Sequence, residues 1–444
     1  MDINQNIFRS YDIRGIYPKD LNEEAACRIG RYFVEYTGAQ KVAVGRDMRN
    51  SSPDLFQALA KGITEKGADV CSLGEVPTEA LYFAAVFYNY DAGIMITASH
   101  NPKDYNGMKM LKKGDPHVSV IRGKDMIGAA EDKDDSLKNG GEIKSQNIWE
   151  DYLNHILSFA ELDKIDSLKI VADAGNGMAG KSLSFLRSRL PVEMLPLNFD
   201  LDGNFPNRSP NPLEEGGDKQ LREEILEKEA DMGFMFDGDG DRIFLFDEKG
   251  KRVRADTTLL ILARHFLKKQ PGSAIVYNNV CSKAVPEFIK KWQGIPVRSP
   301  VGFVNVREKM IENKAVLGGE LSGHYSFKDN FYLDSGLAAL LILLQVVSES
   351  GKKVSELASE LSPYAKGAEI NFEVENKEKM MEKVKEKYSD GEQDSLDGAT
   401  VSYNNWWFNL RPSNTEPVLR LTVEADTQNL LEEKTKELED LISK

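Results

Sequence analysis

Three aspartates alternate with glycine in Asp237-Gly238-Asp239-Gly240-Asp241, and Arg242 follows them. The apolar runs Met232–Phe236 and Ile243–Phe246 flank this stretch and read as strands. Carboxylates at alternate positions can converge on one hard cation. The spacing also resembles the start of an EF-hand loop, with Glu248 at its twelfth position. Arg242, however, stands where that loop needs glycine, and the flanks are strands rather than helices. A solvated acidic turn is the plainer alternative, and three aspartates between two apolar strands favour the metal. A second candidate is Thr97-Ala98-Ser99-His100-Asn101-Pro102, directly after the apolar run Ala92–Ile96. Loops at strand C-termini are where α/β sheets place their chemistry. A serine hydroxyl can accept a phosphoryl group where a metal and cations neutralise the charge. Taken alone, the hexapeptide reads first as a strand-ending turn.

Two further loops carry polar vocabulary. Gly318-Gly319-Glu320-Leu321-Ser322-Gly323-His324 offers an acid, a hydroxyl and an imidazole suited to sugar hydroxyls, or simply makes a glycine-rich turn. Arg411-Pro412-Ser413-Asn414-Thr415-Glu416-Pro417 combines arginine, hydroxyls and backbone N–H groups, the means of holding a phosphate, and alone it is a proline-bounded turn. A fifth segment, Gly175–Ser182 (GNGMAGKS), satisfies both the P-loop pattern and GxGxxG after the strand-like LKIVA. That makes a P-loop phosphotransferase a competing expectation. Asp173-Ala174 opposes it by putting an acid where phosphates would lie.

These loops need a scaffold of parallel strands. Strand-like runs at Gln40–Val44, Ala92–Ile96, Leu168–Ala172, Gly233–Phe236, Ala274–Tyr277 and Ala315–Leu317 alternate with amphipathic stretches at Leu21–Tyr36, Ser52–Lys66, Ile148–Phe159 and Thr257–Lys269. Such alternation predicts βαβ units. The 444 residues call for three or four domains of about 100–150 residues each. The polar stretch Glu131–Gln146, a weaker break at Lys249–Asp256 and a change to alternating strand at Lys366–Gly367 predict four, at 1–146, 147–254, 255–366 and 367–444. The last reads strand, helix, strand, strand, helix and is α+β, with Thr427–Lys444 as its amphipathic final helix.

With 57 basic and 71 acidic residues the net charge is −14, which argues against nucleic acid and anionic membrane as partners. Cations for an anionic substrate must then be concentrated locally. No apolar run approaches the roughly 18 residues of a membrane span, Leu337–Val347 being too short, and the N-terminus does not read as a signal peptide. Three scattered cysteines point to a reducing compartment, the cytoplasm. The sequence carries no signal of oligomeric state.

The first four motifs, in this order and spacing, resemble the α-D-phosphohexomutase superfamily, with closest similarity to its phosphomannomutases and bifunctional phosphomannomutase/phosphoglucomutases. The similarity runs from FRSYDIRG at Phe8–Gly15 to RPSNTEP at Arg411–Pro417. DAGNGMAG at Asp173–Gly180 fits the second domain of that superfamily, which recasts the P-loop match as a coincidence. The resemblance implies an α/β fold of three similar mixed-sheet α/β domains plus the α+β domain, around a central cleft. It implies interconversion of hexose 6-phosphate and hexose 1-phosphate, with mannose and glucose as sugars, through a hexose 1,6-bisphosphate. Ser99 would carry the phosphoryl group, and Asp237, Asp239 and Asp241 would hold Mg²⁺ together with a phosphate oxygen on Ser99. Arg242 would sit beside them. Glu320, Ser322 and His324 would contact sugar hydroxyls, Lys283 would face the cleft, and Arg411, Ser413, Asn414 and Thr415 would grip the phosphate that is not transferred. Tyr11, Arg14, His100 and Lys109 would line the site, with Arg14, His100 or Lys109 as general acid/base. Two departures stand out. Phe303 replaces a family histidine, and Leu321 replaces the glutamine of phosphoglucosamine mutases, which disfavours an amino sugar. A non-catalytic sugar-phosphate sensor on the same fold would not need Ser99 and three aspartates.

Overall fold

A computed structural model describes residues 3–114, 117–131, 136, 138, 140–413 and 418–443. The chain forms two compact units, one of residues 1–253 with 323–355 and the other of residues 254–322 with 356–444. The break at Val253/Arg254 falls inside the polar stretch Lys249–Asp256.

The first unit contains two mixed sheets. In the larger, the strands run in the order Ile13–Ile16, Tyr105–Lys112, Ala92–Ile96, Lys41–Arg46, Asp69–Glu75 and Ile143–Ser145. The last four are mutually parallel, while Tyr105–Lys112 runs antiparallel to Ala92–Ile96. Val42, Val44, Ile94 and Ile96 are buried with Ile29, Phe33, Leu55, Leu59 and Ile63 from the helices Glu23–Thr37 and Ser52–Glu65. Helix Glu23–Thr37 starts where Asn22 accepts from the Ala25 N–H and ends at Gly38 in the left-handed region. The polar stretch Glu131–Gln146 is more than a boundary, because it supplies the exposed parallel edge strand Ile143–Ser145. Its three side chains are all exposed, so no apolar pattern marked it.

The second sheet orders Ile243–Phe246, Met232–Phe236, Lys169–Asp173 and Glu193–Leu197. Its central pair is parallel, and Met232–Phe236 turns back through the aspartate loop into antiparallel Ile243–Phe246. The apolar stretch around Leu337–Val347 belongs to the 15-residue helix Gly336–Ser350, buried from Gly336 to Val347 and capped by Ser335 accepting from the Ala338 N–H. Among the described residues no helix is long and apolar enough to cross a membrane.

In the second unit, Ile295–Ser299, Ala274–Asn278 and Leu317–Gly319 form parallel strands. The third lies two residues later than the apolar run Ala315–Leu317 suggests. Gly318 lies within that strand, and a Cβ there would meet Met310 Sδ at 2.5 Å and Val306 Cγ1 at 2.7 Å on helix Phe303–Asn313, so a larger residue would force those side chains to shift. The C-terminal sheet orders Ala365–Lys366, Leu419–Ala425, Trp406–Pro412, Ala399–Ser402 and Glu392–Asp394, with Ile370–Phe372 also on Leu419–Ala425. It is antiparallel and is covered by helices Lys377–Lys387 and Gln428–Ile442. Between those two helices the described residues form four strands where the sequence reads two, and the polar side chains of Glu392–Asp394 give no strand pattern.

Candidate active site

Ser99 follows strand Ala92–Ile96 in a left-handed conformation, φ +50°. Such backbone costs about 1–3 kcal/mol in a non-glycine residue and persists only where its surroundings enforce it. They do so here through Arg49, which is 1% exposed. Its guanidinium donates to the carbonyls of Ser99 (2.9 Å), Asn101 (2.6 Å), Pro102 (2.7 Å) and Tyr105 (3.0 Å), and its Nε lies 3.2 Å from the buried Asp47 Oδ2. The Ser99 N–H donates to Thr97 Oγ1 at 2.9 Å. From strand Ile13–Ile16 at the edge of the same sheet, Arg14 donates to the Ala98 carbonyl at 2.9 Å and to Asn101 Oδ1, and is paired with Asp12. Tyr11 is half-buried just ahead of that strand.

The aspartate loop arrives from the other sheet of the same unit. Ser99 Oγ donates to Asp237 Oδ2 at 3.1 Å and lies 3.3 Å from His100 Nδ1. Asp237 Oδ1 accepts from the N–H groups of Gly240 (3.1 Å) and Arg242 (3.2 Å), which folds the loop around its own carboxylate. Gly240 has φ +80°, and a Cβ on Gly238 would stand 2.5 Å from the Ser99 carbonyl, so both glycines are required. Thr78 Oγ1 donates to Asp239 Oδ2 at 2.6 Å, and Lys109 Nζ donates to Asp239 Oδ2 at 2.7 Å and to Asp241 Oδ2. One oxygen from each aspartate lies within 4.8 Å of the others. Asp239 Oδ1 and Asp241 Oδ1 are buried without a hydrogen-bond partner among the described residues. Orphaned anionic oxygens are costly in a protein interior, and an all-oxygen set with spare lone pairs fits a hard divalent cation such as Mg²⁺.

The electrostatics agree with that reading. Burial, then Asp241 and Asp239, push the Asp237 carboxyl well above the usual range. Burial works against the Lys109 charge, but Asp239 and Asp241 outweigh it and hold the ammonium well above its ordinary value. Asp239 is held low: burial opposes its charge, and Lys109 and the hydrogen bonds around it prevail. Burial and then Arg242 keep both His100 and His324 neutral, well below the ordinary imidazole value. Arg242 Nη2 contacts His100 Nδ1 at 2.9 Å, and its Nε donates to His324 Nε2 at 3.3 Å. His324 Nε2 is also 3.6 Å from both Asp241 and Asp334.

The first unit therefore brings together Ser99, His100, Arg14, Lys109, the three aspartates, Arg242 and His324. In the second unit, Glu320 is 3% exposed and accepts from the Gly302 N–H at 2.8 Å and Asn278 Nδ2 at 3.5 Å. Phe303 opens the helix that Gly302 caps, and Ser322 is half-buried. Lys283 Nζ pairs with Asp426 at 2.6 Å, and its N–H donates to the buried Glu424. Arg411 pairs with Glu369 at 3.0 Å, and the Ser413 N–H donates to the Val418 carbonyl. Asn414 and Thr415 lie outside the described residues.

Sequence reasoning missed Arg49, Asp47 and Thr78, whose partners in the serine and aspartate loops lie far away in the chain. The P-loop lysine is committed elsewhere: Lys181 Nζ donates to the Glu75 carbonyl at 2.8 Å and lies over Trp149. The glycines around it admit Arg208, paired with Asp173 at 2.6 Å, against Gly175 and the aspartate loop against Gly177.

Family profiles described as phosphoglucomutase/phosphomannomutase alpha/beta/alpha domains I, II and III match residues 5–122, 150–250 and 254–364, and the C-terminal domain profile matches residues 369–441. A phosphomannomutase of Salmonella montevideo is 37% identical, covering 99% of this chain and 99% of its own. One from Methanocaldococcus jannaschii is also 37% identical, over 99% of this chain and 98% of its own. The crystal structure of a phosphoglucomutase/phosphomannomutase family protein from Burkholderia thailandensis superposes with a TM-score of 0.90 at 33% identity, covering 99% of this chain and 97% of that one.

Proposed function

The chain belongs to the phosphoglucomutase/phosphomannomutase family, and from that premise we propose that it is an isomerase interconverting hexose 6-phosphate and hexose 1-phosphate, with mannose and glucose as sugars. The observation that carries this reading is Ser99 Oγ, buried, set in an enforced left-handed turn and 3.1 Å from the carboxylate cluster. Ser99 carries the phosphoryl group. In one step the bond from Ser99 Oγ to phosphorus breaks, a bond from phosphorus to the free sugar oxygen forms, and the hydroxyl proton passes through a base to the departing Ser99 Oγ. Arg14, His100 and Lys109 are the candidates for that base, and His100 Nδ1 lies 3.3 Å from Ser99 Oγ. In the second step the hexose 1,6-bisphosphate returns its other phosphate to Ser99.

Asp237, Asp239 and Asp241 would hold Mg²⁺ with a phosphate oxygen on Ser99, and the ion supplies charge neutralisation of the transferring phosphoryl group. Arg14 and Lys109 add fixed positive charge beside the same loop. Glu320 and Ser322 are assigned to sugar hydroxyls, with His324; Arg411, Ser413, Asn414 and Thr415 are assigned to the phosphate that stays, and Lys283 to the cleft. Three unpaired cysteines support a cytoplasmic setting.

Intact-mass measurement after priming with glucose 1,6-bisphosphate tests the proposal. The expected product is one phosphate heavier at Ser99, and Ser99→Ala takes up none and loses turnover. Absence of phosphate on the wild type under every priming condition refutes it.

A further inference from the structure

Glu320 follows strand Leu317–Gly319, and its Oε1 accepts from the Gly302 N–H at 2.8 Å. Asn278 Nδ2 reaches the same oxygen at the longer distance of 3.5 Å. The amide one residue earlier is committed as well: the Val301 N–H donates to Asp397 Oδ2 at 2.9 Å. Two successive peptide N–H groups thus meet two carboxylates from different sheets. Asp397 belongs to the C-terminal sheet of the same unit, in the turn between strands Glu392–Asp394 and Ala399–Ser402. That turn is held independently of Val301. The Asp397 carbonyl accepts from Asn409 Nδ2 at 2.9 Å and from Asn279 Nδ2 at 3.2 Å, and both asparagines are buried. The Asn279 N–H in turn donates to the Ser299 carbonyl at 2.9 Å, just ahead of Val301. Gly302 has φ +121°, where glycine is permissive, so its neighbours must set the direction of its N–H.

We propose that Asp397 is a positioning residue for sugar recognition: from the C-terminal sheet it fixes the Val301 amide, so that the following Gly302 N–H meets Glu320 and orients that carboxylate for the sugar. This rests on the assignment of Glu320 to sugar hydroxyls. A carboxylate suits the task, because a charge-assisted hydrogen bond to an amide is roughly twice as strong as a neutral one. The Val301 carbonyl also accepts from Asn305 Nδ2 at 2.8 Å, and helix Phe303–Asn313 begins directly after Gly302. Removing the Asp397 carboxylate therefore leaves the start of that helix in place. What it loosens is the segment ahead of the helix, and with it the Gly302 N–H. Glu320 must then be ordered again at each binding event.

Steady-state kinetics on mannose 1-phosphate, primed with glucose 1,6-bisphosphate, give the first readout. For Asp397→Ala the expected result is a KM raised on the order of tenfold with kcat within about twofold, the pattern of lost uniform binding. Asp397→Asn keeps a weaker acceptor for the Val301 N–H, and its KM should rise only about threefold. A KM unchanged in both variants, or a loss confined to kcat, overturns the inference. If the alanine variant does not fold, the asparagine variant carries the test alone. Amide hydrogen exchange resolved to single residues gives the second readout. In Asp397→Ala the Gly302 amide should exchange on the order of tenfold faster, while helix Gln428–Ile442 keeps its rates. An unchanged Gly302 rate overturns the inference, as does an equal rise in that helix, which would mark a general loosening. If the wild type has no mutase turnover, the proposed function fails by itself, and exchange at Gly302 still decides whether Asp397 holds that amide.

Discussion

Replacing Arg49 tests whether the serine turn is held from beneath. The guanidinium makes four hydrogen bonds to carbonyls of residues 99–105 and pairs with Asp47, which is itself fully buried. Breaking a buried ion pair from one side costs about 3–5 kcal/mol, because the other charge is left uncompensated. Total stability of a folded unit is about 5–15 kcal/mol, so Arg49→Met is expected to lose a large share of it. Arg49→Lys is the informative variant. It keeps the charge but offers three donors from a single nitrogen, enough for Asp47 and about two of the four carbonyls. Each hydrogen bond to a charged group is worth about 1.5–3 kcal/mol, and partial relaxation offsets some of the loss, so about 2 kcal/mol is expected. Freed of its clamp, Ser99 relaxes from φ +50° and its Oγ leaves Asp237. Urea denaturation gives the stability change, and intact mass after bisphosphate priming gives the phosphorylated fraction. A Lys variant within about 0.5 kcal/mol of wild type and fully primed would falsify the view that Arg49 sets the serine turn.

Glu79 should give the metal-free protein a pH-dependent stability. It is 2% exposed, and burial, only partly offset by hydrogen bonds from Ser335 and Tyr152, pushes its carboxyl up to about 7. Between about 4.5 and 7 the folded state keeps a proton that the unfolded state releases, so stability falls as pH rises through that window, by about 3 kcal/mol in all. Thermal melts across it should show the slope, and Glu79→Gln should flatten it. Gly238→Ala drives a Cβ to 2.5 Å from the Ser99 carbonyl. It should therefore lower kcat by about a hundredfold, read by coupled assay, with a smaller effect on the melting temperature. Lys181→Met should retain mutase turnover within about threefold, since its ammonium is spent on Glu75; loss of activity there would revive the P-loop reading.

Much of this site could be read from the chain because its parts are loops that follow apolar strands. Ala92–Ile96 ahead of Ser99 and Met232–Phe236 ahead of the aspartates have a hydrophobic pattern that depends on burial alone. What escaped was set by contacts between distant residues. Arg49 is an ordinary arginine after an ordinary strand until the serine loop folds over it, about fifty positions later in the chain. Thr78 gains its meaning from Asp239, and nothing local to a helix start announces it. Strand Ile143–Ser145 is exposed along its whole length and joins the sheet through backbone pairing, which side-chain periodicity does not report. The slip from Ala315–Leu317 to Leu317–Gly319 has the opposite origin, since Gly318, which reads as part of a turn, lies in the strand against the side chains of Val306 and Met310.

The contact between Gly238 and the Ser99 carbonyl bears on how such a chain can change over time. The serine and its carboxylates sit on different sheets, 138 positions apart, yet the two loops meet with no room for a methyl group. The Met178 N–H also donates to the Gly238 carbonyl, tying the GNGMAG turn to the same spot. These sheets look like interchangeable α/β modules, but they are not free to be exchanged one at a time. A first-domain graft from a distant relative would arrive with a serine loop shaped for another partner. Recombination between relatives should therefore be tolerated where residues 1–253 travel as one inherited block, and be penalised where a crossover separates the serine turn from its aspartates.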